Sequence, residues 1–248
     1  KRKLKQQQKK NKSIFDHKIE TTVWAYRAKR AAKIAKLYDL LLCILPFEPP
    51  YFSKHGLQTE FVGHPILDKI KELKFINIRK KYNINTEQKI ICITPGSRQA
   101  EIKKLLPIYQ EALNIISQHY KNLAIFLPTL PHLKKLVTQL TTDSKQKINI
   151  VSTEEDKFAL YKAADLAIAK SGTNTMEIMP FNTAMLICYK ANYLTYQIIK
   201  KIIKVKYANL VNIAANEEVI PEFLQDECNA ANISKTAIKL LSKPEICQ

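Results

Sequence analysis

Two short turns carry the groups that can hold an anion. In P-G-S-R-Q-A-E-I, Pro95–Ile102, Gly96 lets the backbone bend tightly and Ser97 offers a hydroxyl. Arg98 offers a planar fork suited to phosphate or carboxylate, and Glu101 falls in the first turn of the helix that follows. In K-S-G-T-N-T-M-E-I, Lys170–Ile178, Ser171, Gly172 and Thr173 present N–H groups at a helix start, where the helix dipole favours negative charge. Glu177 lies about one turn along that helix, where its carboxylate can accept from two vicinal hydroxyls of a ribose. Taken singly, the first reads rather as a plain strand–helix turn with Arg98 solvated, and the second is weak evidence, with Ser171 a cap and Glu177 a surface acid as its plain reading. Two at one sheet edge read as a nucleotide-diphosphate cleft. Neither is G-x-x-x-x-G-K-[ST], so no P-loop is assigned.

Other chemistries find no support. H-E-x-x-H, D-x-D and paired His/Asp clusters are absent, so no metal site is read and an Arg- and dipole-based nucleotide site is favoured over a metal-bridged one. Without G-x-S-x-G an esterase has no nucleophile. His64, in V-G-H-P, reads as a structural histidine beside a proline turn, a catalytic base being the alternative; His17, His55, His119 and His132 have no partner pattern. The five cysteines (Cys43, Cys92, Cys188, Cys228, Cys247) are odd in number and lack C-x-x-C spacing, which suits core thiols in a reducing compartment.

The turns need a sheet to sit on, and the pattern beyond Glu87 supplies one. K-I-I-C-I-T, N-L-A-I-F-L-P-T, K-I-N-I-V-S, D-L-A-I-A-K and A-M-L-I-C-Y-K are short apolar strands. Helices are expected at 99–120, 131–140, from Thr153, from the Ser-Gly-Thr turn to Met179, and at 193–203. Asp156 stands three residues after Thr153, in the capping-box position. Such alternation makes a parallel sheet wrapped on both faces, which binds ligands at the carboxyl ends of its strands. Upstream, residues 1–13 are polar and lysine-rich, 19–27 is strand-like, and A-K-R-A-A-K-I-A-K suits a helix running into a buried segment. L-P-F-E-P-P-Y-F-S-K-H-G-L is rich in turn signals, and T-E-F-V-G-H-P-I reads as a short strand. The charged stretch 67–86 is a helical connector, so the expected organisation is 1–66, the connector, and 87–248.

The net charge of +18 suits nucleic acid, an anionic membrane or an anionic substrate; a lysine-rich composition spread over solvated faces explains it equally. No basic patch is interleaved with stacking aromatics, so nucleic acid is not the favoured partner. No apolar run reaches the roughly 18 residues of a membrane span. The basic start leads to no apolar core, so no secretory signal is read.

Five collinear blocks resemble bacterial lipid-A-disaccharide synthase, a GT-B glycosyltransferase of family GT19: V-W-A-Y-R from Val23, L-P-F-E-P-P…F-V-G-H-P from Leu45, P-G-S-R-Q-A-E-I, A-I-A-K-S-G-T-N-T-M-E-I, and Y-A-N-L-V-N-I-A-A-N-E-E-V-I-P-E-F-L-Q from Tyr207. The resemblance implies an α/β fold of two domains, with 1–66 a remnant of the acceptor-side domain and 87–248 a Rossmann-like domain for the UDP donor. It implies transfer of 2,3-diacylglucosamine from UDP to 2,3-diacylglucosamine 1-phosphate, giving the β-1,6 disaccharide and UDP without a metal or other cofactor. Arg98 matches the arginine on the donor phosphates and is the catalytic candidate. Gly96, Ser97, Ser171, Gly172 and Thr173 match the phosphate-facing turns, Glu177 the ribose-facing acid, and Asn212, Glu222 and Gln225 polar positions near the donor. A cytoplasmic protein peripheral to the inner face of the inner membrane is expected; oligomeric state stays open.

The chain also departs from the family pattern. An N-terminal segment with A-G-E-x-S-G-D and the proposed catalytic base, about 120 residues, and the last C-terminal helices are missing by comparison. Val211, Asn216 and Glu217 stand where Pro, Gly and Arg are usual, and Asn182 and Ala184 where Gly and Pro are. The remaining readings are an inactive remnant, another GT-B nucleotide-sugar enzyme, and a basic module for membrane or nucleic acid.

Overall fold

Alternating apolar residues and turn formers lay down two compact units, one of Lys1–Asp68 with Tyr193–Lys206, the other of Lys69–Asn192 with Tyr207–Gln248. The computed structural model describes residues 28–192, 196 and 206–242. The sequence readings for 1–13, for the strand at 19–27 and, Tyr196 aside, for the helix at 193–203 lie outside them.

In the first unit, α1 (Ala28–Ala35) buries Ala31 and Ile34, three apart and therefore on one face. β1 (Leu40–Cys43) pairs in parallel with β2 (Gln58–Phe61), Leu40 opposite Gln58. The turn-rich stretch between them contains a short helix, α2 (Pro49–Ser53), with proline in its first turn, where the missing N–H costs nothing. Its Phe52 packs with Ala31, Ile34, Leu41, Cys43 and Leu57 into a small core. Buried Glu48 accepts from the Leu45 N–H at 3.1 Å. His64 accepts from the Ile66 N–H through Nδ1 at 3.2 Å, the structural bond its proline turn suggested.

The division between units falls within α3 (Ile66–Glu72). The connector continues through α4 (Ile78–Lys81), capped by Asn77, whose side chain accepts from the Lys80 N–H. Within the second unit, Lys69 pairs with Glu154, Lys81 pairs with Asp156 at 2.6 Å, and Phe75 meets Phe181 edge-on at 5.6 Å.

Six strands build the second unit: β3 (Lys89–Thr94), β4 (Leu123–Pro128), β5 (Ile148–Val151), β6 (Leu166–Lys170), β7 (Met185–Tyr189) and β8 (Glu222–Leu224). All neighbours are parallel, in the order β5-β4-β3-β6-β7-β8. The α/β class and Rossmann-like sheet expected from the pattern are therefore observed. The winding direction reverses between β3 and β6, and that switch point is where open parallel sheets hold ligands. Both glycine turns leave from these two strands. Asp165 ties the strands at their other end: its N–H donates to the Ile90 carbonyl at 2.9 Å, and its carboxylate accepts from the Ile90 N–H at 2.8 Å.

Helices cover the sheet: α5 (Gln99–His119), α6 (Lys134–Thr141), α7 (Glu154–Ala163), α8 (Thr173–Ile178), α9 (Leu210–Ala215) and α10 (Ala230–Ser242). α5 buries Ile102, Leu105, Leu106, Tyr109, Ala112, Leu113 and Ile116, a helical stripe that shares one core with Ile233, Ala237, Leu240 and Leu241 of α10. Thr153 caps α7 by accepting from the Asp156 N–H at 3.2 Å, but the Asp156 carboxylate turns to Lys81, so the box is only half made. The sequence pattern did not reveal β8, because three partly buried residues carry no periodicity. The four cysteines among the described residues are buried. Burial, then Glu48, pushes the Cys43 thiol up to about 11, the behaviour of an inert core group.

Candidate functional site

A cavity of about 390 Å³ opens at the carboxyl ends of β3, β4 and β5, and Gly96, Ser97, Thr129, Lys157, Thr173 and Glu177 are among its walls. Both turns therefore reach one cleft.

The first turn is shaped by Glu101. Gly96 has φ +128°, and a Cβ there would stand 2.5 Å from Glu101 Oε2 and 2.8 Å from Glu101 Cβ. The same carboxylate accepts from the Ser97 N–H at 3.3 Å and from Arg98 Nη1 at 2.9 Å, and pairs with Lys170 at 3.2 Å. As the third residue of α5 it reaches back over the helix start, past the N-cap Arg98 to the N–H of Ser97. The Arg98 side chain is 76% exposed and forms no part of the cavity wall. Burial alone would raise the Glu101 carboxyl. The charge of Lys170 and hydrogen bonds from Arg98 and Lys170 outweigh it and hold the group below its ordinary 4.5. A depressed folded value means that this stabilisation is present above about pH 4.5 and is lost as pH falls through the depressed value. The stability gap between wild type and Glu101→Gln, followed by urea unfolding, is expected to be level above that pH and to close below it. A gap that stays level into acid removes the ion pairs as its cause.

The second turn opens on Gly172, at φ +153°, which precedes the first residue of α8. Thr173 and Asn174 line the cavity, and N–H groups of a first helical turn have no intrahelical acceptor. Ser171 differs from expectation. Its N–H donates to the Cys188 carbonyl at 3.0 Å and its hydroxyl to the Ala208 carbonyl at 2.8 Å. It braces β6 against the segment before α9 and has no donor left for a phosphate. Glu177 faces the cavity with Lys157, paired at 2.9 Å, and Lys157 lies 4.4 Å over the Phe158 ring. The Thr94 and Thr129 hydroxyls, on cavity-lining residues, are buried and have no hydrogen-bond partner among the described residues.

Asn212 and Glu222 are committed to the protein instead of to a ligand. Glu222 Oε1 accepts from the Asn209 N–H (3.0 Å), Asn209 Nδ2 (2.7 Å) and Asn212 Nδ2 (2.8 Å), and Oε2 from the Ala208 N–H (2.7 Å). Asn212 also exchanges both amide bonds with Ile220, at 2.7 and 2.9 Å, and is fully buried. This knot holds the Ala208 carbonyl that anchors Ser171, so the block acts through the second turn. Gln225 sits at φ +53°, its N–H donating to the Tyr189 carbonyl and its Nε2 buried without a partner among the described residues.

Three departures from the family pattern have local explanations. Asn182 and Asn216, where Gly is usual, sit at φ +53° and +54°, and asparagine tolerates the left-handed region best after glycine. The Val211 N–H donates to Asn209 Oδ1 at 2.9 Å, a bond that proline cannot make. Sequence reasoning missed Lys157, Asn174 and Thr129. Lys157 lies one turn after Thr153 at the right end of the sheet, which was legible; its pairing with Glu177, across twenty residues, was not.

Comparison with known proteins meets this geometry from outside. Residues 1–247 match the family model described as lipid-A-disaccharide synthetase. The lipid-A-disaccharide synthase of Rickettsia prowazekii is 42% identical over 229 residues, 92% of this chain and 60% of that protein. That of Rickettsia typhi is 41% identical over the same shares. The chain thus spans about 60% of the length of these curated relatives. A solved structure of UDP-GlcNAc 2-epimerase from Neisseria meningitidis bound to UDP-GlcNAc superimposes with a TM-score of 0.61 at 12% identity, covering 86% of this chain and 56% of that one, a likeness of fold. With residues 1–247 of the chain matched by one family model and relatives at about 40% identity, the chain belongs to the lipid-A-disaccharide synthetase family.

Proposed function

We propose that this chain carries the UDP-donor site of a lipid-A-disaccharide synthase. That enzyme transfers 2,3-diacylglucosamine from UDP to 2,3-diacylglucosamine 1-phosphate, forming the β-1,6 disaccharide and UDP. The observation that carries the reading is the convergence of two glycine turns on one cavity at the switch point of a parallel sheet. In this reading 87–248 is the donor domain, 67–86 the connector and 1–66 part of the acceptor-side domain.

Each group then has a role. As the sugar–oxygen bond breaks, charge grows on the leaving diphosphate, and fixed donors aimed at it lower the barrier. The N–H groups of Thr173 and Asn174 and the Arg98 guanidinium supply them, while Glu177, held by Lys157, accepts from the ribose hydroxyls. Arg98 is exposed and, among the described residues, its ion pair is with Glu101 alone, so it can swing to the ligand at small cost. The UDP-GlcNAc-bound fold neighbour supports a nucleotide sugar in this cleft. Among the described residues no helix is long and apolar enough to cross a membrane. The net charge of +18 favours docking on the anionic cytoplasmic face of the inner membrane, where both lipid substrates reside.

The test is UDP binding by titration calorimetry. Affinity is expected to fall at least tenfold, about 1.4 kcal/mol, in Arg98→Ala. Equal affinities would take Arg98 out of the site, and an absence of UDP binding by the wild type would end the donor reading. Turnover of an unacylated UDP sugar in preference to the acylated donor would favour a different nucleotide-sugar enzyme.

A further inference from the structure

We infer that Lys170 is a second phosphate-binding cation of this site, the sheltered counterpart of the exposed Arg98; this rests on the donor reading above. Lys170 ends β6 and directly precedes the Ser171–Gly172–Thr173 turn. Three measurements locate its ammonium. Nζ lies 3.2 Å from Glu101 Oε1, 5.6 Å from the centre of the Tyr189 ring, and 3.7 Å from where a Cβ on Gly172 would stand. Glu101 is the side chain that lies against Gly96 and accepts from the Ser97 N–H. One ammonium therefore touches the supports of both turns at the point where the sheet reverses.

Its charge is not fully answered. Among the described residues Glu101 is the carboxylate paired with Lys170 and also the one paired with Arg98. Two cations share one anion, so the cluster carries a net positive charge. The Lys170 side chain is 16% exposed against 76% for Arg98, and charge in a partly desolvated place attracts more strongly than charge in water. An ammonium has three donors, more than the single Glu101 oxygen can use. Gly172 leaves the ammonium uncrowded at the turn, since even a Cβ there would stand 3.7 Å from Nζ, ordinary van der Waals contact. A diphosphate fits this cluster, because it brings the negative charge that Glu101 alone does not.

The competing role is purely structural: Lys170 merely neutralises Glu101. Charge-balanced variants separate the two. Binding of uridine and of UDP is measured on wild type, Lys170→Met, Lys170→Arg and the double variant Glu101→Gln/Lys170→Met, with thermal melts of each. The expected result is that Lys170→Met weakens UDP at least tenfold while uridine changes less than twofold. Lys170→Arg should recover most of the loss, and the double variant should stay weak for UDP. The inference is overturned if Lys170→Met binds UDP as wild type does, if uridine and UDP weaken equally, or if the double variant regains wild-type UDP affinity. If wild type itself binds UDP no better than uridine, the donor reading fails first and this inference goes with it.

Discussion

Glu222→Ala is expected to lose about 3 kcal/mol of stability and, with it, most affinity for UDP. The carboxylate receives four hydrogen bonds, from the Ala208 and Asn209 N–H groups and from the Asn209 and Asn212 amides. Removing it strands all four donors, each costing about 1–3 kcal/mol when buried and unanswered. Asn209 and Asn212 are fully buried; water entering beside the partly exposed residue 222 recovers some of the sum. The loss reaches the site because Ala208 holds the Ser171 hydroxyl at 2.8 Å. Urea unfolding measures the first effect and UDP titration the second. Glu222→Gln, which keeps one acceptor but turns an amide toward donors, should fall between. A loss below about 1 kcal/mol would mean that the knot is solvated and does not brace the turn.

Gly96→Ala should weaken UDP by about thirtyfold, roughly 2 kcal/mol, while the chain still folds. At φ +128° an alanine is strained, and its Cβ would come within 2.8 Å of Glu101 Cβ. The Glu101 carboxylate can rotate away; its Cβ, fixed to the backbone of α5, cannot. The turn itself has to shift, taking the Ser97 N–H and Arg98 with it. Backbone strain of this kind costs about 1–3 kcal/mol. Gly172→Ala is the control, since its Cβ would meet nothing nearer than Lys170 Nζ at 3.7 Å, and it should cost less in binding. Equal losses in the two variants would place the strain in φ alone and not in the contact with Glu101.

Apolar runs of five or six residues can only be buried strands here, and their alternation with helices permits only a parallel sheet with its turns at one end. That much of the architecture, and the positions of Gly96, Gly172 and Glu177 within it, followed from residue type and spacing, because these effects are local. Family resemblance named Asn212 and Glu222 as polar positions near the donor. The hydrogen bonds that tie them to each other and to Asn209 and Ile220 were not legible, since a buried polar group and a ligand-facing one look alike in one dimension. Pairing across the chain was decided in three dimensions. Folding brought Lys170 to Glu101, Lys157 to Glu177 and Ser171 to Ala208, contacts spanning 69, 20 and 37 residues. Such partners are chosen by strand order and helix packing, which bring distant residues together at a cost that no local propensity records.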